Sequence, residues 1–359
     1  MNEVQVKLKN GITSLCALMS VSGFERRSTD KLKELYGEYF DEIRSDAVGN
    51  HLFIKRCGKE NAPLALVDSH FDEIGMMVTE ICDDGFVKFT RIGGLSLAIL
   101  QAADVIIYGK EEIRGVIIST PPHLRTGDAD TLSDFEDLLI DTGYTKETLE
   151  KLVSVGTPIG FAPHYSELLG SQIAGKSLDD KACAAVSIQA IIDTKKDDLS
   201  ADVAMLFSAF EETALPGGVA PATFSAMPDY AMVVDVNLAK VPETQKYETV
   251  PMGEGVSLGL SAATNRKLTL LCQQICKEKE IPHVMVACPS STGTNSPDVN
   301  LVGSGVPVVD VGLPLKNMHT YVETVSLEDC ESLYRLVKEF ITDARIPEQF
   351  AGKGAELPV

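Results

Sequence analysis

Two histidines and four carboxylates stand where apolar segments of this sequence give way to polar ones. They are His70, Asp179, Glu211, Glu212, Asp235 and His319. Imidazoles and carboxylates are ligands that suit divalent transition metals such as zinc or cobalt. Five of these side chains would hold a pair of ions, and Glu211, directly beside Glu212, would remain free to take a proton from an attacking water. The inventory therefore predicts a hydrolytic site with two metals.

The predicted elements place most of these residues at equivalent positions. His70 follows the apolar run Leu64–Ser69, and the two glutamates follow a second such run. Asp235 lies inside the Val-rich run Met232–Val236, and His319 follows a further apolar run by a short loop. Functional groups of open α/β sheets gather beyond the carboxyl ends of the strands. We therefore expect these side chains to converge on one edge of a sheet.

Three of the candidate ligands also have ordinary structural interpretations. Asp179 and Asp180 begin a predicted helix, where Asp commonly caps the first turn and interacts with the helix dipole. His70 and His319, each taken alone, would pass for loop histidines. The remaining histidines have no comparable carboxylate neighbours, and we expect them to be non-catalytic: His51, His123, His164 and His283.

The other three carboxylates are harder to explain by structure alone. Glu211 and Glu212 end an apolar strand, where two adjacent carboxylates repel each other and lose hydration, and a nearby cation relieves both effects. Asp235 lies in a Val-rich strand, which is costly unless the carboxylate is paired or bound to a metal. Asp72, two positions after His70, would orient that imidazole through its second ring nitrogen.

Hydrophobic periodicity predicts strands and helices in alternation at both ends of the chain. Residues 3–40 are predicted to be helical with a break at Gly23. Later apolar runs are continuous, which is typical of strands covered by helices on both faces. Ser326, with Asp329 three places on, predicts a capping box at the start of the last helix. The predicted helices are Asp180–Lys195, Asn265–Glu278 and Leu327–Asp343, and the predicted strands include His51–Arg56, Leu64–Ser69, Val203–Ala209, Ala231–Val236, Val284–Ala287 and Pro307–Val311.

The middle of the chain differs and predicts a separate β domain. Beyond His70, short β-rich runs alternate with turn pairs such as Asp84-Gly85 and Gly93-Gly94. This pattern is typical of a small β-barrel or sandwich, here interrupted by a short helix at Thr145–Val153. We therefore predict an α/β fold with two parts: a catalytic domain of residues 1–71 and 167–359, and an inserted β domain of residues 72–166.

Length, charge and composition exclude several functional classes. At 359 residues the chain exceeds a single hydrophobic core, so two domains are expected. The net charge of −20 argues against binding to nucleic acid or to anionic membranes. No apolar run is long enough for a membrane span, the N-terminus lacks the layout of a signal peptide, and we expect a cytoplasmic protein. The eight cysteines form no C-x-x-C pair and are predicted to be buried free thiols of a reducing compartment.

A series of short motifs runs along nearly the whole chain, from about Leu15 to Ile341. In order they are His70-Phe-Asp-Glu-Ile-Gly, Ile92-Gly-Gly, Pro121-Pro-His-Leu, Asp141-Thr-Gly, Lys176-Ser-Leu-Asp-Asp-Lys, Glu211-Glu, Val234-Asp-Val, Gly293-Thr-Asn and Asn317-Met-His. In combination they closely resemble the motifs of the glutamyl-aminopeptidase family. The members of that family are cytosolic di-metal aminopeptidases, also called tetrahedral aminopeptidases, and some have long been labelled endoglucanases.

The resemblance implies a role for each candidate residue. The implied metal ligands are His319 and Glu212 for one ion, His70 and Asp235 for the other, and Asp179 as the bridge between them. Glu211 would be the general base, and Asp72 would support His70. The implied cofactors are two divalent ions per subunit, zinc or cobalt, with manganese as a further candidate.

The resemblance also implies an architecture and an assembly. The catalytic domain would have the mixed sheet of zinc peptidases, and the insertion would be a small β-barrel. In the family the inserted domain mediates assembly into a hollow tetrahedron of twelve subunits and governs substrate access. We therefore expect a homo-oligomer, with a dodecamer as the implied form, that acts on short peptides.

Several flanking positions depart from the family's usual residues. This chain has Phe210-Glu-Glu-Thr213-Ala214 where the family usually has Gln-Glu-Glu-Val-Gly. It has Gly293-Thr-Asn295-Ser where Gly-Thr-Asp-Ala is usual, and Lys316-Asn317-Met-His where Arg-Tyr-Met-His is usual. All six metal-site positions keep the family's residues. The departures therefore bear on substrate preference and rate more than on the chemistry.

These observations together predict an aminopeptidase that hydrolyses the N-terminal residue of peptides through a water shared by two metals. An amidase, a deacetylase or a deblocking peptidase on the same site is the main alternative. An endoglucanase is disfavoured, because adjacent Glu211 and Glu212 would point to opposite sides of a strand and would not flank a glycosidic bond. The chain also has no Trp for stacking on sugars. A non-catalytic assembly protein is disfavoured by the intact Glu211.

Overall fold

The structure of the chain, a computed structural model, describes residues 1–121, 123, 135–213, 217–245, 249–289 and 291–352. Three residues from the sequence motifs lie outside these ranges. They are Pro122 and Leu124 of the Pro-Pro-His-Leu motif, and Ala214 after the glutamate pair.

Helices lie at both ends of the chain and between the strands that follow the insertion. In chain order they are α1 (Glu3–Cys16), α2 (Thr29–Tyr36), α3 (Lys146–Leu152), α4 (Leu178–Asp193), α5 (Val219–Ala226), α6 (Arg266–Glu278), α7 (Ser296–Asn300), α8 (Leu327–Thr342) and α9 (Arg345–Phe350). The helices predicted at α3, α4, α6 and α8 are confirmed. The predicted break at Gly23 is confirmed too: this residue has a φ of 90°, a left-handed conformation that glycine adopts at no steric cost.

The strands form one large mixed sheet and one closed barrel. In chain order they are β1 (Glu42–Ser45), β2 (His51–Lys55), β3 (Leu64–His70), β4 (Gly75–Ile81), β5 (Val87–Ile92), β6 (Asp104–Tyr108), β7 (Glu112–Ser119), β8 (Leu138–Asp141), β9 (Pro158–Phe161), β10 (Tyr165–Leu168), β11 (Gln172–Gly175), β12 (Asp202–Ser208), β13 (Tyr230–Leu238), β14 (Val256–Ser261), β15 (His283–Cys288), β16 (Val308–Lys316) and β17 (Glu323–Ser326).

The large sheet contains eleven strands, in the order β1-β2-β12-β3-β13-β16-β17-β11-β10 with β14 and β15 branching from β16. Its central strands β12, β3, β13 and β16 are parallel, and the pairs toward both ends of the order are antiparallel. The predicted α/β class with a mixed sheet is thereby confirmed. The parallel strands end at one common edge.

Both faces of this sheet are covered, as the continuous apolar runs predict. Along β12, Val203, Met205 and Phe207 belong to the core under α1, α4, α6 and α8. Ala204 and Leu206 belong to a second core under α5 and α7. Successive side chains of a strand point to opposite faces, so each central strand contributes to both cores. Polar side chains of these strands are therefore most easily accommodated at the strand ends.

The insertion is a barrel and not a sandwich. Its strands close in the order β4-β5-β8-β7-β6-β9 around a separate core. They lie between Gly75 and Phe161, and the chain returns to the large sheet at Tyr165, the first residue of β10. The barrel is thus inserted between two strands of the large sheet, directly after His70.

The capping box predicted for α8 is wrong in one half. The Ser326 hydroxyl accepts the N–H of Glu328 at 3.2 Å, as an N-cap does. The Asp329 carboxylate does not turn back to Ser326. It accepts the N–H groups of Gly253 and Gly255, each at 2.8 Å, because a distant loop packs against the start of the helix.

The cysteines are free thiols, as predicted. Cys82 and Cys288 are half-buried, and the others are buried. Among the helices in the described part of the chain, none combines the length and the apolar character that a bilayer crossing requires.

Candidate metal centre

The carboxyl ends of the parallel strands bring the candidate residues together. β3 ends at His70, whose register partner is Ser208, the last residue of β12. The turn after β12 carries Glu211 and Glu212 to the side of His70. Asp235 lies on β13, the next strand of the sheet on the other side of β3.

His70 lies at the centre of this cluster and is buried. Its Nε2 is 3.0 Å from Asp179 Oδ1 and 3.7 Å from Asp235 Oδ1. Its Nδ1 lies 3.0 Å from the carbonyl oxygen of Asp72. The two ring nitrogens therefore face different partners, a backbone carbonyl on one side and the carboxylate cluster on the other.

Asp179 reaches both histidines with one carboxylate. While its Oδ1 faces His70, its Oδ2 lies 3.6 Å from Nε2 of His319. The same nitrogen of His319 is 3.2 Å from Oε2 of Glu212. One carboxylate at the start of α4 thus spans two imidazoles that come from separate parts of the sheet.

His319 enters the cluster from the loop after β16, in a left-handed conformation with a φ of 59°. Its ring lies against Gly94 at the edge of the barrel. A Cβ atom on Gly94 would stand 2.5 Å from Nδ1 of His319, closer than real contacts allow. Glycine at this position therefore leaves room for the imidazole, which gives the predicted Gly93-Gly94 turn a role in shaping the site.

Asp72 is fully buried and holds the turn that contains both glutamates. Its Oδ1 accepts the N–H of Glu211 and its Oδ2 accepts the N–H of Glu212, each at 3.1 Å. The carboxylate is 3.5 Å from Nδ1 of His70, farther than the carbonyl oxygen of the same residue. The structure thus places the Asp72 carboxylate mainly against the Glu211–Glu212 turn and its carbonyl against the imidazole.

Two groups of candidate ligand atoms share His70. One contains Asp179 and Glu212, the other contains Asp180 and Asp235, and the atoms of each group lie within 4.8 Å of one another. From the sequence, Asp180 is predicted only to lie at the start of a helix. Its carboxylate is fully buried, and neither oxygen has a hydrogen-bond partner among the described residues. The sequence feature that marks Asp180 as a candidate ligand is the aspartate pair itself, directly before an apolar helix.

Burial raises the pKa of most carboxyl groups in the cluster. The pKa values of Asp180, Glu212 and Asp235 lie well above the usual range, because desolvation penalises the charged form and neighbouring carboxylates repel it. Burial likewise raises the pKa of Glu211. Without cations, these groups therefore retain protons at pH values where exposed carboxyl groups are ionised.

The pKa of His70 is raised, although the residue is buried. Desolvation alone would lower it, but hydrogen bonds with Asp179 and Asp72 and the charges of Asp235 and Glu211 raise it well above its ordinary value. The protonated imidazole thus balances part of the negative charge of the carboxylates. A metal ligand must be the neutral imidazole, so a bound cation would replace this proton.

Glu323 supports two of the candidate ligands from behind, and the sequence analysis did not identify it. Its Oε2 accepts the N–H of Asp179 and its Oε1 accepts the N–H of His319, each at 3.0 Å. Burial raises the pKa of this carboxyl group well above its usual range. It begins the short strand β17, whose pairing with β11 and β16 is visible only in three dimensions.

A buried ion-pair network fixes the approach to Asp179. Oε2 of Glu73 lies 2.6 Å from Nζ of Lys176 and 3.1 Å from Nζ of Lys181, and the Ser177 hydroxyl donates to the same oxygen. Glu73 belongs to the segment that leads into the barrel, and the two lysines flank the start of α4. Their charges are engaged with Glu73, so the network positions the site without neutralising it.

The donor set fits divalent metal ions. Imidazole nitrogens and carboxylate oxygens are ligands of zinc, cobalt and manganese. Within the described ranges, the oxygens of Asp180 have no N–H or O–H donor, and no Lys or Arg forms an ion pair with any carboxylate of the cluster. Buried carboxylates that have no Lys or Arg partner are stabilised by bound cations.

Comparison with known proteins connects this geometry to a family. A family model described as M42 glutamyl aminopeptidase matches residues 49–336. The lysyl aminopeptidase of Pyrococcus furiosus is 28% identical over 331 residues, which cover 90% of this chain and 94% of that protein.

Solved structures share the whole fold. A TET aminopeptidase from a marine sediment thaumarchaeon superposes with a TM-score of 0.87 at 29% identity, over 96% of this chain and 99% of that one. The TET1 peptidase of Pyrococcus horikoshii, which assembles into a tetrahedron or a large octahedral shell, superposes with a TM-score of 0.81 at 26% identity, over 94% of this chain and 99% of that one.

Proposed function

This chain belongs to the M42 glutamyl aminopeptidase family, and from this premise we propose how its site acts on peptides. It is a metal-dependent aminopeptidase, a hydrolase of peptide bonds. Short peptides with a free N-terminus are the proposed substrates. The proposed cofactors are two divalent ions per chain, zinc or cobalt first and manganese next, because the donor set combines imidazoles with carboxylates.

The proposed ligands divide into two sets that share one carboxylate. His319 and Glu212 would hold one ion, and His70 and Asp235 would hold the other. Asp179 would be the ligand that the two sets share. The observation that supports this division best is the position of Asp179, whose two oxygens face two different histidines at 3.0 and 3.6 Å. Asp180 lies in the set of His70 and Asp235 and is a further candidate ligand there.

Divalent ions held by these residues would polarise the scissile carbonyl and make a water molecule acidic enough to attack near neutral pH. Glu211 is the carboxylate left for proton transfer: its Oε2 is 3.9 Å from Nε2 of His70, and 23% of its side chain is exposed. Its raised pKa suits a group that takes a proton from water and then returns it to the leaving amine. The Asp72 carboxylate keeps Glu211 in place by accepting a hydrogen bond from the backbone N–H of Glu211.

Glu211→Gln is the direct test of this proposal. The amide keeps the shape of the side chain and cannot accept the proton, so turnover of an aminoacyl chromogenic amide should fall by about 10²–10⁴-fold or more. Bound metal, measured by elemental analysis, should stay at two ions per chain. A chelator should abolish the activity of the wild-type protein.

Glu212→Gln is the matched comparison, since it makes the same chemical change one residue along. It should weaken metal binding, because Glu212 is a proposed ligand and Glu211 is not. A Glu211→Gln variant that keeps more than about a tenth of the wild-type rate would show that the base is another residue. Turnover of an N-acetylated substrate in preference to the free amine would instead support a deblocking enzyme.

For the assembly, we propose a homo-oligomer, as large as a dodecamer, in which the inserted barrel domain of residues 72–166 makes contacts between subunits and limits access to the site. The support is the similarity over nearly the full chain to the TET1 peptidase of Pyrococcus horikoshii, which can assemble into a tetrahedron or a large octahedral shell. We also propose a reducing cytoplasmic location, in line with free cysteines.

A further inference from the structure

We propose that Glu25, a residue outside the metal cluster, is a positioning residue for the catalytic glutamate: it holds the backbone of Phe210 so that Glu211 points into the site. The inference rests on the proposed role of Glu211 as the base. Glu25 lies in the turn between α1 and α2, and its side chain is fully buried.

The carboxylate of Glu25 joins two distant pieces of backbone. Its Oε1 accepts the N–H of Gly23 at 2.9 Å and the N–H of Phe210 at 3.3 Å. Its Oε2 has no hydrogen-bond partner among the described residues. A Cβ on Gly49 would stand 3.2 Å from that oxygen, so glycine at position 49 leaves the space that this carboxylate occupies.

The backbone of Phe210 requires such support. It has a φ of 64°, in the left-handed region that is unfavourable for residues with a side chain. Its ring packs beside Gly23, within 3.5 Å of where a Cβ would stand. Conformations of this kind persist only where surrounding contacts enforce them. Phe210 directly precedes Glu211, so its dihedral angles set the direction of the catalytic side chain.

Glu25 is one of three side chains that accept hydrogen bonds from consecutive backbone N–H groups of this turn. Four such N–H groups, those of residues 209–212, donate to side chains from the first part of the chain. Asn50 Oδ1 accepts the first at 2.9 Å, Glu25 the second, and the two oxygens of Asp72 the third and fourth. The turn therefore takes its shape from side chains and not from neighbouring strands.

Glu25 is the informative member of this series for one reason. Asp72 also lies beside His70, so its loss would disturb a proposed metal ligand together with the turn. Among the described residues, Glu25 forms its hydrogen bond with the turn at Phe210, one residue before the base. Its substitution should therefore move Glu211 while leaving the metal ligands in place.

The test compares Glu25→Gln, Glu25→Asp and Glu25→Ala in the full-length protein reconstituted with metal. Gln keeps an acceptor oxygen at the same reach, so kcat should stay within about threefold of wild type. Asp keeps the charge but is one methylene shorter, and Ala removes the acceptor. Both should lower kcat by about 10–100-fold, because small displacements of a catalytic group are costly, with little change in KM and two ions still bound.

The control is Glu38→Ala, which removes an exposed carboxylate from the same region and should leave kcat unchanged. A Glu25→Asp variant with wild-type kcat overturns the proposal, and so does a loss of bound metal that parallels the loss of kcat. If Glu25→Ala does not fold, the comparison of Asp with Gln decides. Glu211→Gln, assayed alongside, separates the two proposals: if it stays active, the base assignment fails whatever the Glu25 variants do.

Discussion

At the scale of single residues, the site is a set of buried acids whose charges are left for cations to balance. Asp180, Glu212 and Asp235 have pKa values well above the usual range because they are desolvated and close together. Metal ligands must be deprotonated, so metal binding and proton release are linked. In the metal-free protein these carboxyl groups therefore carry protons, and metal ions would displace the protons on binding.

This linkage predicts how metal affinity depends on pH. Because the pKa values are raised, the metal-free cluster retains protons at pH values where exposed carboxyl groups are ionised, and metal binding should release protons. As pH falls, protons compete more strongly and affinity should decrease. Calorimetric titration with Zn²⁺ in two buffers of different ionisation enthalpy measures the released protons. Identical heats in both buffers would contradict the prediction, and Glu212→Gln should release fewer protons than wild type.

The residues that the sequence revealed are those whose type and position are both unusual. Asp235 could be found because a carboxylate inside a Val-rich strand is costly wherever the strand packs. Glu25 and Glu323 could not be found in this way. The contacts with Phe210 and Asp179 that connect them to the site span 185 and 144 positions of the chain, so the sequence around them does not reveal these contacts.

At the scale of elements, helix α4 connects the site to the body of the sheet. Its first turn contains Asp179 and Asp180, and its other end is closed by Lys55 of β2. The ammonium group of Lys55 donates to the carbonyl oxygens of Ile191, Ile192 and Thr194 at 2.8, 3.2 and 2.6 Å. The carbonyl of Ile191 also accepts the N–H of Thr194 at 3.3 Å. The last carbonyls of a helix need donors from outside it, and a cation at the helix C-terminus also interacts favourably with the helix dipole.

Lys55→Met tests the contribution of this cap. The substitution keeps the length of the side chain but removes the ammonium group that donates to these carbonyls, so the free energy of unfolding should fall by about 1–3 kcal/mol. Urea denaturation followed by circular dichroism measures the change. The rate of the folded variant should match wild type, because the cap lies at the end of α4 opposite the ligands.

Lys59→Met is the matched control for this prediction. Lys59 is exposed and donates to a single carbonyl, that of Leu199. Its substitution should change stability by less than about 0.5 kcal/mol. If both variants unfold at the same urea concentration as wild type, the helix does not depend on its cap.

The elements that the sequence predicted are those with long apolar patterns, such as β12 and β13. Short strands were missed when their pattern was too weak. All four residues of β10 are exposed, so no alternation marks it as a strand, and it forms because β11 pairs with it. The capping box of α8 failed for a related reason: Asp329 binds a loop that lies 74 and 76 positions away.

At the scale of the whole molecule, the barrel and the sheet contribute differently. The proposed metal ligands come from the large sheet, its loops and the start of α4, whereas the barrel contributes Gly94 at the rim beside His319. The barrel also has its own hydrophobic core. It can therefore serve assembly without contributing a ligand to the site.

Self-association is the prediction that belongs to this scale. We expect light scattering at micromolar protein to report an assembly as large as a dodecamer. A net charge of −20 per chain opposes close packing, so salt should screen the repulsion and should not dissolve the particle. A monomer under these conditions, with metal present, would contradict the proposed assembly. It would leave the assignment of the metal ligands untouched.

The long sequence separation between the parts of the site has a consequence for biosynthesis. His70 and Asp179 are 109 positions apart with the barrel between them, and the side chains that shape the turn at Glu211 precede it by 139 positions or more. His319 is made later still, and β17 with Glu323 follows it. A growing chain on the ribosome therefore has no complete set of the proposed ligands until His319 has been made, so a shorter nascent chain cannot trim the N-termini of neighbouring nascent proteins.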